Sequence, residues 1–452
     1  MEPRLAHLAQ EDSRLPATPD TLGSLTRVVH ELTIRLARRW PLVAYSTRHA
    51  RSDPPEEVRQ GVRHVRAFPE PDRTLVAGAF RWRNRVGRRL GLSERPYPAS
   101  PAYYWTYIRR VCRHLAHEGA DLVHLHNVSQ FVPPLRAAVP RARLVLQMHC
   151  EWLVELSRPL VAQRLADVDL VLGVSEHIVQ QIQAAFPEIA DRCRVLHNGV
   201  DLAGFPPREL VAGERSAALA ALRARLDIRG PVVLYVGRLS AEKGVHVLLD
   251  AFNRFRETHR DATCIVIGPD WGPIRKVRPR HGDMARLDGD YVGHLRGLAA
   301  PHDGRVVFVG PVPNGELPLY HAISDVVVAP SLFESFGIPA IEAGASGLPV
   351  VASAVGGLVD TVVHGRTGLL VPPSDPAALA AALDELAKNP ARARAMGRAG
   401  RDRVTTSFTW DRITDTLSGY YESLLGQGGA RVVPLEATYG SRSAGGTPAS
   451  RL

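Results

Sequence analysis

Pro330-Ser-Leu-Phe-Glu-Ser-Phe-Gly-Ile-Pro-Ala-Ile-Glu-Ala-Gly-Ala-Ser-Gly-Leu-Pro-Val-Val-Ala352 is the stretch on which the fold turns. An apolar run, Val326 to Ala329, feeds it. A helix can open near Gly337, because Pro339 falls in the first turn, where a backbone N–H would lack a partner anyway. Glu334 then stands in the loop before the helix and Glu342 inside it. A strand end, a loop and a helix N-terminus together form the geometry that holds a phosphorylated ligand at the edge of an open parallel sheet. Two carboxylates beside a phosphate need another task. They can accept hydrogen bonds from hydroxyls, one of a sugar and one of a ribose, while backbone N–H groups and basic side chains hold the phosphates.

Upstream, Pro231-Val-Val-Leu-Tyr-Val-Gly-Arg-Leu-Ser-Ala-Glu-Lys-Gly-Val-His246 has the same design: a strand, a tight turn at Gly237, and a helix. Arg238 and Lys243 bracket the turn and can project over the same edge. A diphosphate leaves as an anion, and Arg offers planar paired donors where Lys offers a point charge. Cys264 to Gly268 and Val306 to Gly310 are further strands, and Pro311 and Val312 after the second can wall in a nucleobase. A helix over Glu316 to Ile323 leads into the strand before Pro330. Val350 to Asp360 gives a strand and a Gly pair, Gly368 to Val371 is one more short strand, and helices are expected over 375–387, 391–404 and 409–425. Asp288-Gly-Asp290 lacks the apolar strand a metal-binding carboxylate pair needs, and no metal is assigned. The tail after Leu425 is rich in Gly, Ser, Thr, Arg and Pro, and is expected to be disordered.

The first half repeats the alternation of strand and helix. Arg4 to Ala9 can be a first strand, followed by a Pro- and Thr-rich loop ending at Gly23-Ser24, where backbone can approach an anion, and then a helix carrying Val28, Leu32 and Leu36. Strands are expected at Leu42 to Tyr45, Val62 to Arg66, Asp121 to Leu125, Ala142 to Gln147 and Leu170 to Ser175, with a helix over Pro133 to Ala138. Ser175 is a candidate helix cap. Met148-His149-Cys150-Glu151-Trp152 puts His149 at a strand's carboxyl end, where open sheets bind ligands and an imidazole can donate to a phosphate or a hydroxyl. Arg81 to Leu90 carries five Arg in ten positions. It reads as a solvated helix face, or as a surface for anionic lipid or an acidic substrate.

A chain of 452 residues exceeds what one core usually serves, so two α/β domains are expected. A net charge of +10 suits anionic partners, but the Arg residues are scattered along helices and no nucleic-acid motif accompanies them. The four Cys, at 112, 150, 193 and 264, lack metal-ligand spacing and read as buried free thiols in a reducing compartment. No secretory leader or membrane-length apolar run is read, so a cytoplasmic protein is expected, with peripheral contact at the inner membrane face left open.

Taken in order, Asn198-Gly-Val-Asp201, Gly237-Arg238 with Lys243-Gly244, the Glu334 and Glu342 pair and Gly356-Gly357 resemble the retaining nucleotide-sugar glycosyltransferases with two Rossmann-like domains, the glycosyltransferase-B type. The likeness covers roughly residues 4 to 425. It implies an N-terminal acceptor domain (1–201), a C-terminal donor domain (202–408), a last helix (409–425) crossing back onto the first domain after Phe408 and Trp410, and a tail (426–452), with the substrate in the cleft between the domains. By the same resemblance Glu342 would hold the ribose, and Arg238 and Lys243 the diphosphate. Glu334 and the backbone of Phe336, Gly337 and Ile338 would grip the sugar. Gly23 and Ser24 would approach the diphosphate from the opposite domain; His149 would help position sugar and acceptor, and Ser24, Glu151 and Trp152 would border the acceptor. Gly23-Ser24 stands where the family commonly has Gly-Gly, which puts the loop's shape in doubt.

The resemblance further implies transfer of a hexose or N-acetylhexosamine from a nucleoside diphosphate sugar, UDP favoured, without metal or other cofactor. A soluble small acceptor, such as an aminocyclitol or another natural-product core, is the first choice. A lipid or cell-envelope acceptor is the alternative, supported by the Arg cluster and its neighbouring aromatics. A sugar phosphorylase and a non-catalytic nucleotide-binding protein are the readings from other classes. Oligomeric state is not readable.

Overall fold

The computed structural model describes residues 2–9, 15, 24–48, 53–69, 71–89, 100, 102–270, 290–302 and 304–426. Gly23, most of 269–290 and the tail beyond 426 lie outside them, and so do the sequence expectations that fall there.

Strands of the first half form one sheet: β1 (Leu5–Leu8), β2 (Leu42–Thr47), β3 (Glu56–Arg59), β4 (Val62–Ala67), β5 (Leu122–His126), β6 (Arg143–Met148), β7 (Leu170–Gly173) and β8 (Cys193–Val195), ordered β3-β4-β2-β1-β5-β6-β7-β8. All pairs are parallel except β3 with β4, an exposed edge hairpin whose charged strand was not anticipated. The second half forms β9 (Val232–Val236), β10 (Thr263–Ile267), β11 (Val306–Gly310), β12 (Val326–Ala329), β13 (Val350–Ser353) and β14 (Gly368–Val371), ordered β11-β10-β9-β12-β13-β14 and parallel throughout. Their near-continuous apolar runs are what a sheet covered on both faces requires.

Both sheets reverse direction in the middle. In the second, the chain moves outward from β9 to β11 and then returns to start β12 on the other side of β9. The first does the same between β1 and β5. Ligands of open α/β sheets bind outside the carboxyl ends at these reversals, where neighbouring loops diverge and leave a crevice.

The helices cover the faces as their periodicity dictates. Ser24–Leu36 turns Val28, Val29, Leu32 and Leu36 to the core. Val245–Thr258 buries seven residues, among them Leu248, Phe252 and Phe255. Trp105–Glu118, absent from the sequence expectations, buries Tyr107, Ile108, Val111 and Leu115. Its first turn is capped from a distance: Asp72 accepts from Thr106 N and Tyr107 N at 2.9 Å each. Ser175 caps Glu176–Ala185 as expected, accepting from Ile178 N. The last helix, Trp410–Gly426, returns to the first sheet, where Ile413, Leu417, Tyr421 and Leu424 share a core with Val29 and Leu32. Phe408 O accepts from Val200 N at 2.8 Å where the chain crosses.

All four cysteines are unpaired, as read, but Cys112 and Cys150 are only half-buried. Burial pushes the Cys112 and Cys193 thiols up to about 11 and Cys264 to about 12, so none of these three is poised as a thiolate. Among the described residues no helix is long and apolar enough to cross a membrane.

Candidate active site

The loops after β9, β12 and β13 meet at the second sheet's reversal, and two glycines make the meeting possible. Gly244 sits at φ +66° ahead of the Val245–Thr258 helix, and a Cβ there would lie 2.0 Å from Pro330 O. Gly356, at φ +49°, would place a Cβ 1.9 Å from Glu334 O, the same carbonyl that accepts from Gly357 N at 2.9 Å. Only Gly has both the backbone freedom and the missing side chain. The first contact fixes Lys243 beside the Pro330 loop, and the second fixes Glu334. Lys243 Nζ consequently donates to Glu334 Oε2 at 2.8 Å, with Ser331 Oγ at 3.4 Å from the same oxygen. Arg238 is more open and lies 3.4 Å from Glu242 Oε1. Gly237 N donates to Ile267 O at 2.9 Å, which places the start of this loop over β10.

The opening stretch builds the helix Ile338–Ala345 with Pro339 in its first turn, as its sequence dictates. Glu342 lies on the buried side and is 3% exposed. Burial raises its carboxyl above the usual range, opposed by Arg27. Arg27 comes from the opposite domain: it lies 3.5 Å from Glu342 Oε1 and donates to Asn314 Oδ1 at 3.0 Å. The Phe336 side chain is structural, edge-on to Phe408 at 5.9 Å between ring centres, so that only its backbone could serve a ligand. Ile338 packs against cores of both domains. Pro311 is exposed and Val312 half-buried, on the loop after β11.

On the first domain, Ser24 begins the helix that carries Arg27. His149 follows β6; its backbone N donates to Asn127 Oδ1 at 2.7 Å, and its Nε2 lies 3.1 Å from His126 Nδ1. Desolvation lowers the His149 imidazole to about 3, so it is neutral near pH 7. Glu151 Oε1 lies 2.9 Å from His177 Nε2, and Trp152 is exposed at the start of a short helix. The domains are tied again at Asp360, whose Oδ2 accepts from Glu176 N at 2.7 Å.

Lys243, Glu334, Arg238 and the Gly356-Gly357 turn are thus gathered at one crevice, and Arg27 joins its Glu342 side to the first domain. His149, Glu151 and Trp152 follow β6 on the first domain, with His149 against His126 and Glu151 against His177. Sequence reasoning left Glu334 and Glu342 free for hydroxyls; each instead faces a cation. It also missed Arg27, although that residue stands one turn into the helix opened by Ser24, where a side chain can reach across a cleft. Asp290 is a helix cap, its Oδ1 accepting from Gly293 N at 2.7 Å, while Asp288 lies outside the described residues.

Two α/β domains, each built on a largely parallel sheet, have the two-domain glycosyltransferase architecture, the glycosyltransferase-B type. Residues 25–203 match the family model described as Glycosyltransferase Family 4, and residues 222–403 the one described as Glycosyl transferases group 1. The chain belongs to this group 1 glycosyltransferase family. It is 32% identical over 437 residues to a D-inositol 3-phosphate glycosyltransferase of Jonesia denitrificans, covering 93% of this chain and 96% of that one. A spore coat protein SA of Bacillus subtilis is 30% identical over 307 residues, 67% of this chain and 78% of the relative. Among solved structures, a sucrose-phosphate synthase from Thermosynechococcus elongatus superposes with a TM-score of 0.71 at 25% identity, covering 94% of this chain and 99% of that one.

Proposed function

We propose that the protein transfers a hexose or N-acetylhexosamine from a nucleoside diphosphate sugar, UDP favoured, to a hydroxyl of a small polar acceptor, with retention and without a metal. The observation that carries this reading is the Lys243–Glu334 pair at the mouth of the second sheet's reversal. A bound diphosphate would compete for the ammonium, and Glu334 would then be released to accept from the sugar's hydroxyls. Arg238, exposed beside it, would add a planar donor to the same diphosphate, and Glu342 would accept from the ribose.

In this reading the acceptor oxygen bonds to the anomeric carbon from the face on which the diphosphate departs. The bond from that carbon to the diphosphate oxygen breaks, and the leaving oxygen takes the acceptor's proton. Lys243, Arg238 and the Ile338–Ala345 helix N-terminus stabilise the charge that develops there. A cyclitol acceptor agrees with the name of the Jonesia relative, a D-inositol 3-phosphate glycosyltransferase. A lipid acceptor has one observation of its own: the Ala77–Arg89 helix exposes Trp82 among Arg81, Arg83 and Arg85.

A donor and acceptor screen read by mass spectrometry tests both. Products one sugar heavier than a soluble acceptor support the first reading. Turnover only with a lipid, with anionic-vesicle pelleting lost when the five Arg of 81–89 are neutralised, supports the second. A reaction that requires inorganic phosphate and ignores nucleotide sugars overturns both.

A further inference from the structure

Four histidines and a tyrosine form an unbroken chain of polar contacts through the core of the first domain, and none of them is explained by packing alone. His7 on β1 and His124 on β5 are register partners at the sheet's reversal, and His126 follows on the same face. All three are fully buried, as is Tyr421, which the last helix inserts beside them. Tyr421 Oη lies 2.5 Å from His124 Nδ1 and 3.0 Å from His7 Nε2. His7 Nδ1 is 3.3 Å from His126 Nε2, and His126 Nδ1 is 3.1 Å from His149 Nε2. His149 is thus the end of the chain at the sheet's carboxyl edge.

A neutral imidazole has one N–H and one lone pair, so each link in such a chain fixes the next. Two arrangements satisfy every contact. They run in opposite directions, with every link reversed, and leave different ends: His124 Nε2, which has no partner among the described residues, is either a bare lone pair or a buried orphan N–H. A buried N–H without an acceptor is the rarer and costlier of the two. The chain therefore runs from His124 Nδ1–H to Tyr421, from Tyr421 O–H to His7 Nε2, from His7 Nδ1–H to His126, and from His126 Nδ1–H to His149 Nε2. His149 then has its proton on Nδ1, which has no protein partner among the described residues but belongs to a half-buried residue and is not sealed off as His124 Nε2 is.

We propose that this chain holds His149 as an Nδ1–H donor toward the cleft, which makes His126 its positioning residue and couples it through Tyr421 to the helix that crosses between domains. The proposal rests on the reading that His149 faces substrate, and it deepens that reading: a donor at this position fits a sugar hydroxyl or phosphate oxygen and cannot act as the base. Three of these histidines, His7, His124 and His126, have ligand nitrogens within 4.8 Å of one another and could instead grip a metal ion, which would consume the lone pairs the chain needs.

The test uses the full chain, labelled with nitrogen-15 at histidine. Two-dimensional imidazole spectra should show His149 as the Nδ1–H tautomer in wild type and His126→Asn, which keeps a donor near the Nδ1 position. In His126→Leu and Tyr421→Phe the preference should be lost. Hydrolysis of UDP-glucose, read as UDP release, should fall about tenfold in His126→Leu with KM unchanged and recover in His126→Asn. An Nε2–H tautomer for His149 in wild type, or spectra indifferent to Tyr421→Phe, overturns the proposal, as does stoichiometric zinc in the purified protein. His149→Ala separates the two ideas. If it leaves UDP release unchanged, the assignment of His149 to the site fails whatever its tautomer. If it lowers release while His126→Leu folds and does not, the site stands and the chain's role fails. Should His126→Leu not fold, the Tyr421→Phe spectra decide.

Discussion

Lys243 and Glu334 are each about one-sixth exposed, so neither charge is fully solvated and each depends on the other. Replacing Lys243 by Ala should leave Glu334 facing the diphosphate without a cation and lower sugar transfer about 100-fold or more, while Lys243→Arg retains part of it. Steady-state release of nucleoside diphosphate reads this directly; wild-type rates in Lys243→Ala remove the residue from the mechanism. Glu342 poses a separate question, because it is buried beside Arg27 and its carboxyl is pushed up by desolvation. If it accepts from a ribose, Glu342→Ala should weaken UDP binding about tenfold, the worth of one hydrogen bond to a charged group. Calorimetry with UDP checks it, and unchanged affinity would assign Glu342 to the domain contact alone.

At the scale of elements, the Gly356-Gly357 turn carries more than its size suggests, since it is what holds Glu334 O. Gly356→Ala should cost about 2 kcal/mol or more, because the new Cβ meets a carbonyl in a backbone conformation that alanine resists. A lowered thermal midpoint, together with lost turnover, is the expected result; an unchanged midpoint would mean the two loops are not tightly joined. Much of this was legible beforehand. Apolar runs such as Val232 to Val236 and Val326 to Ala329 can only be strands covered on both faces, and Pro339 with Glu342 placed the helix. Other features were not legible, for physical reasons. The Trp105–Glu118 helix takes its cap from Asp72, 34 residues upstream, and its Pro- and Tyr-rich approach conceals the start. The β3 strand has no apolar alternation because it lies on an edge, with Val58 73% exposed. Arg27 is one Arg among many until the domains face each other. His7 is a lone histidine in a strand until register sets it beside His124.

The whole molecule hides an unusual amount of imidazole. Burial lowers His7 and His149 to about 3, His64, His246 and His321 to about 4, and His124 and His126 well below the ordinary value. Each remains neutral in the folded chain where the unfolded chain is protonated. Stability conferred by their neutral burial is therefore complete above about pH 6.5 and is lost as pH falls toward 3, as the unfolded state takes up protons that the native state refuses. Denaturant midpoints should drop steeply between pH 6.5 and 5, and less so in Tyr421→Phe with His7→Phe, where the pocket loses one of these groups. A flat profile over that range would mean the imidazoles titrate normally and are not enclosed.

In the proposed function, Arg238 and Lys243 hold the diphosphate of a nucleotide sugar at the second sheet's reversal. This assignment is tested most directly by comparing wild type with the Arg238→Ala, Lys243→Ala double variant, measuring nucleoside diphosphate release from a panel of nucleotide sugars with and without acceptors. Release by wild type, and its near-complete loss in a double variant whose thermal unfolding shows it folded, is the expected result. Equal release by the two proteins would contradict it.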